Sequence, residues 1–565
     1  MASQKNLIML GSLLIFLGSL LGHLIQTAGD VSIKDLRFTG SNGQTLSGLL
    51  YVPPGATAET PAPGVLAVHG YINSREVQAG FAIELARRGY VVLALDQSGH
   101  GYSDGPAFSN GFGGPAALAY LRSLDIVDNN NIGLEGHSMG GWTILAAAAA
   151  MPDAYKSIVL QGSSTGSGFS APGTADWPRN VAVVFAQYDE FSPLMWEVER
   201  GSQAADSAKL QTLFGTDQRI EQGRLYGNIA QGTARIFHNP PVTHPGNHLS
   251  HQSIRHTIDW FDRTLEGGRS AVGQIWFFKE LGTLTAFIGL VILLCGVMTA
   301  LLNTTAFTGL RALPQGNAWP ERSARWWGAA VLSAIIPVAT FYPLFSLAGN
   351  WLPANSWLPQ LISNQLIVWA VVNGLLLSGL GLVIKTDKVA FQQIPLIKSA
   401  LLAVLVVSAG YLTLLLADFF FKVDFRFWFV GLKLLNLTQF QIALVYLPPL
   451  FVFFVLAGRA LHGGMSVAGD SVTRQYLSNA AIMAGGFLIF LLLQYGSLFL
   501  RGVLLTPAEP LNTIVMIQFV PLLLIVSVIS TCAWRHTGSY LPGALINALF
   551  VAWYLVAGQA TQAVW

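Results

Sequence analysis

The alternation of apolar and polar positions divides the chain into three stretches. An apolar run from Asn6 to Thr27, preceded by Lys5, has the length of a membrane-crossing helix, ~20 residues. From Asp30 to Gly268 the apolar runs are short and broken by turns. From about Glu280 to Trp565 long apolar runs return, near Leu281–Leu302, Trp326–Leu347, Gln365–Ile384, Ile397–Leu416, Phe440–Leu461, Asn479–Leu500, Leu511–Cys532 and Leu541–Gly558. This pattern predicts a membrane helix over 1–29, a globular domain over 30–268, and a transmembrane domain of about eight helices over 269–565. The first run reads as a retained signal anchor in preference to a cleaved signal peptide, because it is long for a signal-peptide core. Either reading sends the globular domain to the outer side.

Within the middle stretch the pattern predicts alternating strands and helices. Ile33–Thr39 and Leu46–Val52 are β-like and joined by Gly40-Ser41-Asn42-Gly43, a hairpin turn signal. Gly64–His69 and Val91–Asp96 are continuous apolar runs that suit buried parallel strands. Further strands are expected before Ser138, at Ser157–Gln161, at Val181–Gln187 and at Ala234–His238. Helices are expected at Ser74–Arg88, Pro115–Leu124, Met139–Ala150 and Gln252–Leu265. Such alternation predicts a mostly parallel sheet covered by helices on both faces, with its site outside the carboxyl ends of the strands.

Composition changes the picture in one respect. The chain is 565 residues long, 52% hydrophobic and only 11% charged, against about 25% charged in soluble domains, so much of it belongs in a bilayer. The net charge of +2 gives no case for nucleic-acid binding. The two cysteines, Cys295 and Cys532, sit in apolar runs and provide neither a disulfide framework nor metal-ligand spacing. Arg311, Arg322 and Arg325, then Lys385 and Lys388, then Arg459 and Arg474, then Arg535 fall in alternate loops of the helical stretch, which puts those loops in the cytoplasm and the globular domain outside. The Lys422–Lys433 loop weakens that count. Its aromatic residues and those of its lead-in, Phe419 to Phe421 and Phe425 to Phe429, suggest a membrane-interface segment.

The chemistry centres on Gly136-His137-Ser138-Met139-Gly140-Gly141, where G-x-S-x-G sits between a strand and an Ala-rich helix. A sharp turn there exposes one hydroxyl, and the next backbone N–H, from Met139, opens a helix whose first donors are unpaired. Asp189 follows the strand that begins at Val181 and is the preferred orienter, ahead of Glu190. The base lies in the loop after the last strand: His244 is favoured, with His248 the alternative; His251 opens the closing helix. A second oxyanion donor is the N–H of Tyr71. His69 and His137 read as packing residues, and the loop Asp96–Gly105, which lacks the P-loop lysine, as a tight structural loop.

With these pieces in place, residues 33–265 resemble the α/β-hydrolase superfamily, most of all its serine esterase, lipase and S33/S9-type peptidase branches. The resemblance is carried by His69-Gly70-Tyr71, Asp96–Gly105, Gly136–Gly141, and Asp189 and His244 in family order. It implies an α/β-hydrolase domain that cleaves an ester, thioester or amide of a small molecule, lipid or peptide through a Ser-His-Asp triad, with no metal or organic cofactor. The short stretch between Gln161 and Val181 leaves no room for the large lid of many lipases. Together these expectations describe a multi-pass cell-membrane serine hydrolase, active on the extracytoplasmic side and in contact with membrane lipids. The alternative is a transporter or receptor whose hydrolase-like outer domain binds without catalysis. Asn373, Gln494, Asn547, Pro448-Pro449 and Gly485-Gly486 in the apolar runs are the features that would serve it.

Overall fold

The computed structural model describes residues 4–384 and 389–564; Lys385 and Lys388, used above for orientation, lie outside the described residues. After α1 (Gln4–Gln26), the middle stretch runs β1 (Ser32–Thr39), β2 (Thr45–Val52), β3 (Ala62–Val68), α2 (Ala79–Arg87), β4 (Val91–Asp96), α3 (Gly114–Arg122), β5 (Val127–His137), α4 (Met139–Ala150), β6 (Ser157–Gln161), β7 (Val181–Val184), α5 (Ser192–Trp196), α6 (Ala208–Phe214), β8 (Arg235–His238) and α7 (His251–Thr264). The eight strands form one sheet in the order β1-β2-β4-β3-β5-β6-β7-β8. β1/β2 and β2/β4 are antiparallel, and every pair from β4/β3 to β7/β8 is parallel.

The apolar runs become central strands because both faces are covered. Leu66, Val68, Leu93 and Leu134 pack with Leu118 of α3, Ile144 of α4 and Leu210 of α6. Val65, Ala67, Val92 and Ala94 point the other way, against Phe81 of α2 and Trp260 and Phe261 of α7. The period of two thus delivers apolar side chains to two cores, as expected for a doubly covered parallel sheet. Two boundaries differ from the expectation. The segment before α2 opens as a 3₁₀ turn, Arg75–Gln78. β7 stops at Val184, because Phe185, Gln187 and Tyr188 pair irregularly with the chain from His238 to Val242.

The third stretch contains α8 (Trp276–Leu301), α9 (Ala324–Ala339), α10 (Phe341–Trp351), α11 (Leu361–Val383), α12 (Leu396–Phe421), the short strands β9 (Phe425–Phe427) and β10 (Val430–Leu432), then α13 (Leu437–Gly464), α14 (Val472–Arg501), α15 (Pro510–Ile517), α16 (Phe519–Thr537) and α17 (Leu541–Gly558). Among the described residues, eight helical spans are long and apolar enough to cross a membrane, and the pair α9/α10 makes a ninth if it is one bent span. That count supports a membrane protein. The span expected at Trp326–Leu347 is broken by 41°. Pro337 lies inside α9 and removes one helical N–H; its carbonyl accepts the Trp369 indole N–H at 2.9 Å instead of continuing the ladder alone.

α1 is held on α8 by facing glycines. A Cβ on Gly18 would lie 2.4 Å from the Gly282 carbonyl oxygen, and one on Gly11 would lie 2.8 Å from that of Gly289, so the two backbones touch. Small residues allow this approach where lipid gives helices no hydrophobic drive to associate. The polar groups inside the spans are spent on similar contacts. Asn373 Nδ2 donates to the Trp369 carbonyl, Asn547 Nδ2 to that of Val526, and Gln494 Nε2 to Thr506 Oγ1.

The Lys422–Lys433 segment departs from the interfacial expectation. It is a hairpin, and Phe425 and Leu432 are fully buried, while only its lead-in, Phe419 and Phe420, is exposed. The hairpin folds inward against the sheet region.

Candidate active site

The elbow is built by close approach. Ser138 has φ 54° and ψ −121°, a left-handed conformation strained for a residue with a side chain. Its N–H donates to the Gln161 carbonyl and its own carbonyl accepts from Gly141 N–H, so the turn is tied to β6 and to α4. A Cβ on Gly136 would lie 2.3 Å from the Gly140 carbonyl oxygen, and one on Gly140 2.2 Å from that of Val68. Both glycines of G-x-S-x-G are therefore demanded by backbone packing. Ser138 is partly accessible, whereas its neighbours on either side are buried.

A parallel bridge pairs Tyr188 with Thr243. Each is followed by one of the expected partners, so Asp189 and His244 emerge side by side. His244 Nδ1 lies 2.9 Å from Asp189 Oδ2 and 3.1 Å from Oδ1. Both side chains are buried. Burial pushes the Asp189 carboxyl up, countered by the Phe191 N–H that donates to Oδ1 at 2.9 Å. Burial also pushes the His244 imidazole down to about 3, so it is neutral at rest. With Nδ1–H donated to the carboxylate, the Nε2 lone pair is free to accept a proton. The ring of His137, the residue before Ser138, packs on that of His244 at 4.7 Å between centroids; Ser138 Oγ forms no hydrogen bond to His244 among the described residues. Such bonds often tighten only with substrate bound.

His248 lies elsewhere. Its ring packs on His137 at 4.1 Å between centroids and on Phe81 at 6.1 Å. His137 Nε2 is 2.9 Å from the His244 carbonyl and holds that loop. His69 is buried and pairs with Gln97, whose N–H is 3.2 Å from Nε2. The Asp96–Gly105 loop is fixed by the Asp96 carboxylate, which accepts from the N–H groups of Arg75 and Tyr102 and from Ser47 Oγ. On the oxyanion side, a Cβ on Gly70 would lie 3.1 Å from Ser138 Cβ. The backbone entering Tyr71 therefore runs beside the elbow, across from Met139 at the first turn of α4.

The sequence ranks Glu190 behind Asp189 and gives it no separate role, and in the structure its Oε2 accepts the His244 backbone N–H at 2.7 Å. Burial and the neighbouring Asp189 push its carboxyl up to about 8. Asn247 Nδ2 donates to the His244 carbonyl at 3.3 Å; no motif marks it. Next to the site, Tyr71, Phe108 and Phe169 form a row of rings with centroids 5.5 and 6.3 Å apart, and Phe108 and Phe169 remain 39% and 74% exposed. Among the described residues, no group of three or more His, Cys, Asp or Glu side chains is placed to hold a metal ion.

Residues 63–191 match the family model described as the alpha/beta hydrolase fold. The quorum-quenching protein AidA of Acinetobacter baumannii is 34% identical over 122 residues, 20% of this chain and 39% of that protein. The bis(hydroxyethyl) terephthalate hydrolase of Streptomyces coelicolor is 31% identical over 182 residues, 31% of this chain and 53% of that protein. The chain thus spans about half or less of the length of these relatives. Among solved structures, the Pyrococcus furiosus esterase Pf2001 aligns with a TM-score of 0.30 at 16% identity, over 42% of this chain and 94% of the esterase. A dienelactone hydrolase from Anabaena variabilis aligns with a TM-score of 0.29 at 19% identity, over 42% of this chain and 99% of that protein. The sheet and its covering helices are an α/β-hydrolase fold, joined to a helical region with several long apolar helices. Fold and relatives together support a hydrolase.

Proposed function

We propose that this protein is a membrane-embedded serine hydrolase. Residues 30–268 form its extracytoplasmic hydrolase domain, 1–29 an N-terminal signal anchor and 269–565 a transmembrane domain. The observation that carries the reading is the buried pair His244 Nδ1–Asp189 Oδ2 at 2.9 Å, taken together with a serine held at φ 54° between a strand and a helix. His244 Nε2 takes the Ser138 proton as Oγ attacks a carbonyl carbon. The N–H groups of Met139 and Tyr71 stabilise the oxyanion, a contribution of about 3–4 kcal/mol per donor. Asp189 holds the imidazole tautomer and stabilises the imidazolium. The leaving alcohol, thiol or amine takes the proton from Nε2. Water then attacks the acyl–Ser138 ester by the same route and releases the acid. The exposed rings of Phe108 and Phe169 offer an apolar or aromatic platform for the acyl part. A fluorophosphonate probe should label Ser138 in membranes, and undiminished labelling of Ser138→Ala protein would defeat the proposal.

A cavity of about 640 Å³ inside the helical region favours a second reading, in which that region carries a ligand of its own. It is lined by Pro337, Asn373, Phe453, Phe487, Ser530 and Asn547, among others. It would predict transport activity that survives Ser138→Ala.

A further inference from the structure

The hydrolase fold places its reacting groups on loops at the carboxyl edge of the sheet, and in this chain that edge is the face docked on the helical region. Three contacts across the junction fall on the loops after β3, β7 and β8. After β8, Trp428 Nε1 donates to the Pro245 carbonyl at 2.9 Å, one residue beyond His244. After β7, Tyr495 Oη of α14 donates to Glu190 Oε1 at 2.9 Å, and the other oxygen of the same carboxyl accepts the His244 backbone N–H. After β3, Gln562 Nε2 donates to Tyr71 Oη at 2.5 Å.

Two of these donors, Trp428 and Gln562, are themselves held by further hydrogen bonds. Trp428 sits at the tip of the β9/β10 hairpin with φ 59°, a conformation strained for a tryptophan. Its N–H donates to Glu280 Oε2 of α8 at 2.8 Å, which fixes the turn. The indole and the backbone of one strained residue therefore join α8 to the base loop. Gln562 is tied on the helical side by its N–H to the Pro359 carbonyl, and its neighbour Thr561 pairs with Gly99 and Ala107 of the sheet region. Other junction contacts avoid the reacting loops, such as Gln439 Nε2 to the Gly101 carbonyl at 2.7 Å. Buried ion pairs add to the docking, with Lys433 Nζ 2.8 Å from Glu76 Oε2.

We propose that the helical region completes the hydrolase site: Trp428, Tyr495 and Gln562 are positioning residues that set the base loop, the acid loop and the oxyanion loop. The inference rests on the serine-hydrolase reading above. It gives the helices a catalytic duty distinct from anchoring, because a shift of one helix is felt at His244 through two hydrogen bonds, Tyr495–Glu190 and Glu190–His244. A purely adhesive junction would have no reason to place one such contact on each of the three loops.

The test uses the full-length protein in detergent or nanodiscs and a soluble p-nitrophenyl ester, with active sites counted by fluorophosphonate titration. Tyr495→Phe and Gln562→Leu each remove one donor while keeping bulk, and Trp428→Phe removes the indole N–H while keeping an aromatic ring. Each should lower kcat per titrated site by about tenfold, the scale of one buried hydrogen bond, with KM within about twofold of the parent. Gln439→Leu removes a junction bond that reaches no reacting loop and should leave kcat per site within about twofold. The inference is overturned if the three variants keep parental kcat per site, or if Gln439→Leu falls as far as they do. Ser138→Ala separates the two proposals: turnover and labelling that persist in it defeat the hydrolase reading, whereas Ser138-dependent turnover indifferent to the three variants defeats only this one.

Discussion

Replacing Asp189 by Asn keeps the size of the side chain and removes its charge. In the native protein the carboxylate oxygens lie 2.9 and 3.1 Å from His244 Nδ1. In the proposed mechanism His244 takes the serine proton, and a full positive charge then forms beside that carboxylate. With an effective dielectric constant of about 20, opposite unit charges at this separation attract by about 6 kcal/mol. At 1.36 kcal/mol per decade, that amounts to about four powers of ten in rate. An amide at 189 can also turn its NH₂ toward Nδ1 and select the wrong tautomer, which acts in the same direction. Asp189→Asn should therefore lower kcat on a p-nitrophenyl ester by about 10⁴ and slow fluorophosphonate labelling of Ser138 comparably, while thermal unfolding stays close to the parent. The neighbouring Glu190 meets the backbone N–H of His244 and not its ring, so it should not substitute. A loss of less than tenfold in Asp189→Asn would refute the orienting role.

The other consequences concern pH, packing and specificity. Glu190 has a folded pKa of about 8, above its ordinary 4.5. The fold thus favours the protonated acid: its stabilising contribution is full below about 4.5 and is lost as pH rises through about 8. Thermal midpoints measured across this window should decline in the parent and decline less in Glu190→Gln; parallel slopes would count against it. Gly140→Ala would push a methyl to 2.2 Å from the Val68 carbonyl oxygen; it should cost about 1–3 kcal/mol of stability and displace α4, seen as a lower melting temperature and near-absent probe labelling. Normal labelling in this variant would show that the elbow tolerates the shift. Phe169 is exposed at the far end of the ring row that begins at Tyr71, and Phe169→Ser should raise KM for long-chain or aromatic esters about five- to tenfold with little change for acetate esters, a part of the ~1.5–3 kcal/mol available from burying such a ring. An equal effect on both ester classes would remove it from the acyl platform.

What was legible in the sequence follows from the range of the forces involved. Val65 to Val68 and Val91 to Leu95 announce buried strands because every position is apolar and both faces are covered. The elbow is legible because the approach of Gly136 to Gly140 is local, within five residues, although Gly140 also meets the Val68 carbonyl 72 residues earlier. Asp189 and His244 could be placed after their strands but not joined, since the bridge that unites them is between Tyr188 and Thr243, 55 residues apart. The same range hides what separates His244 from His248: Asp189 meets the ring of the first and His137 that of the second. The bend in the Trp326–Leu347 run was written in Pro337, but hydropathy averages over it.

The junction was illegible for a stronger reason. Phe425 and Trp428 carry the composition of a membrane-interface belt, and both readings of such a segment use the same aromatic residues. Only the positions of Glu280 and Pro245, 148 and 183 residues away, decide that Trp428 faces protein. Tyr495 is likewise one aromatic position in a 30-residue apolar helix, and nothing local separates it from a lipid-facing tyrosine. Its partner Glu190 is 305 residues earlier. Periodicity tells which face of an element is apolar, but in a chain with both a soluble-type core and a lipid-facing surface it does not tell which apolar face meets protein. Polar atoms break that degeneracy: a donor such as the Trp428 indole or the Tyr495 hydroxyl is costly to bury unpaired, and each finds its acceptor 2.9 Å away on a loop of the sheet region, at Pro245 and Glu190.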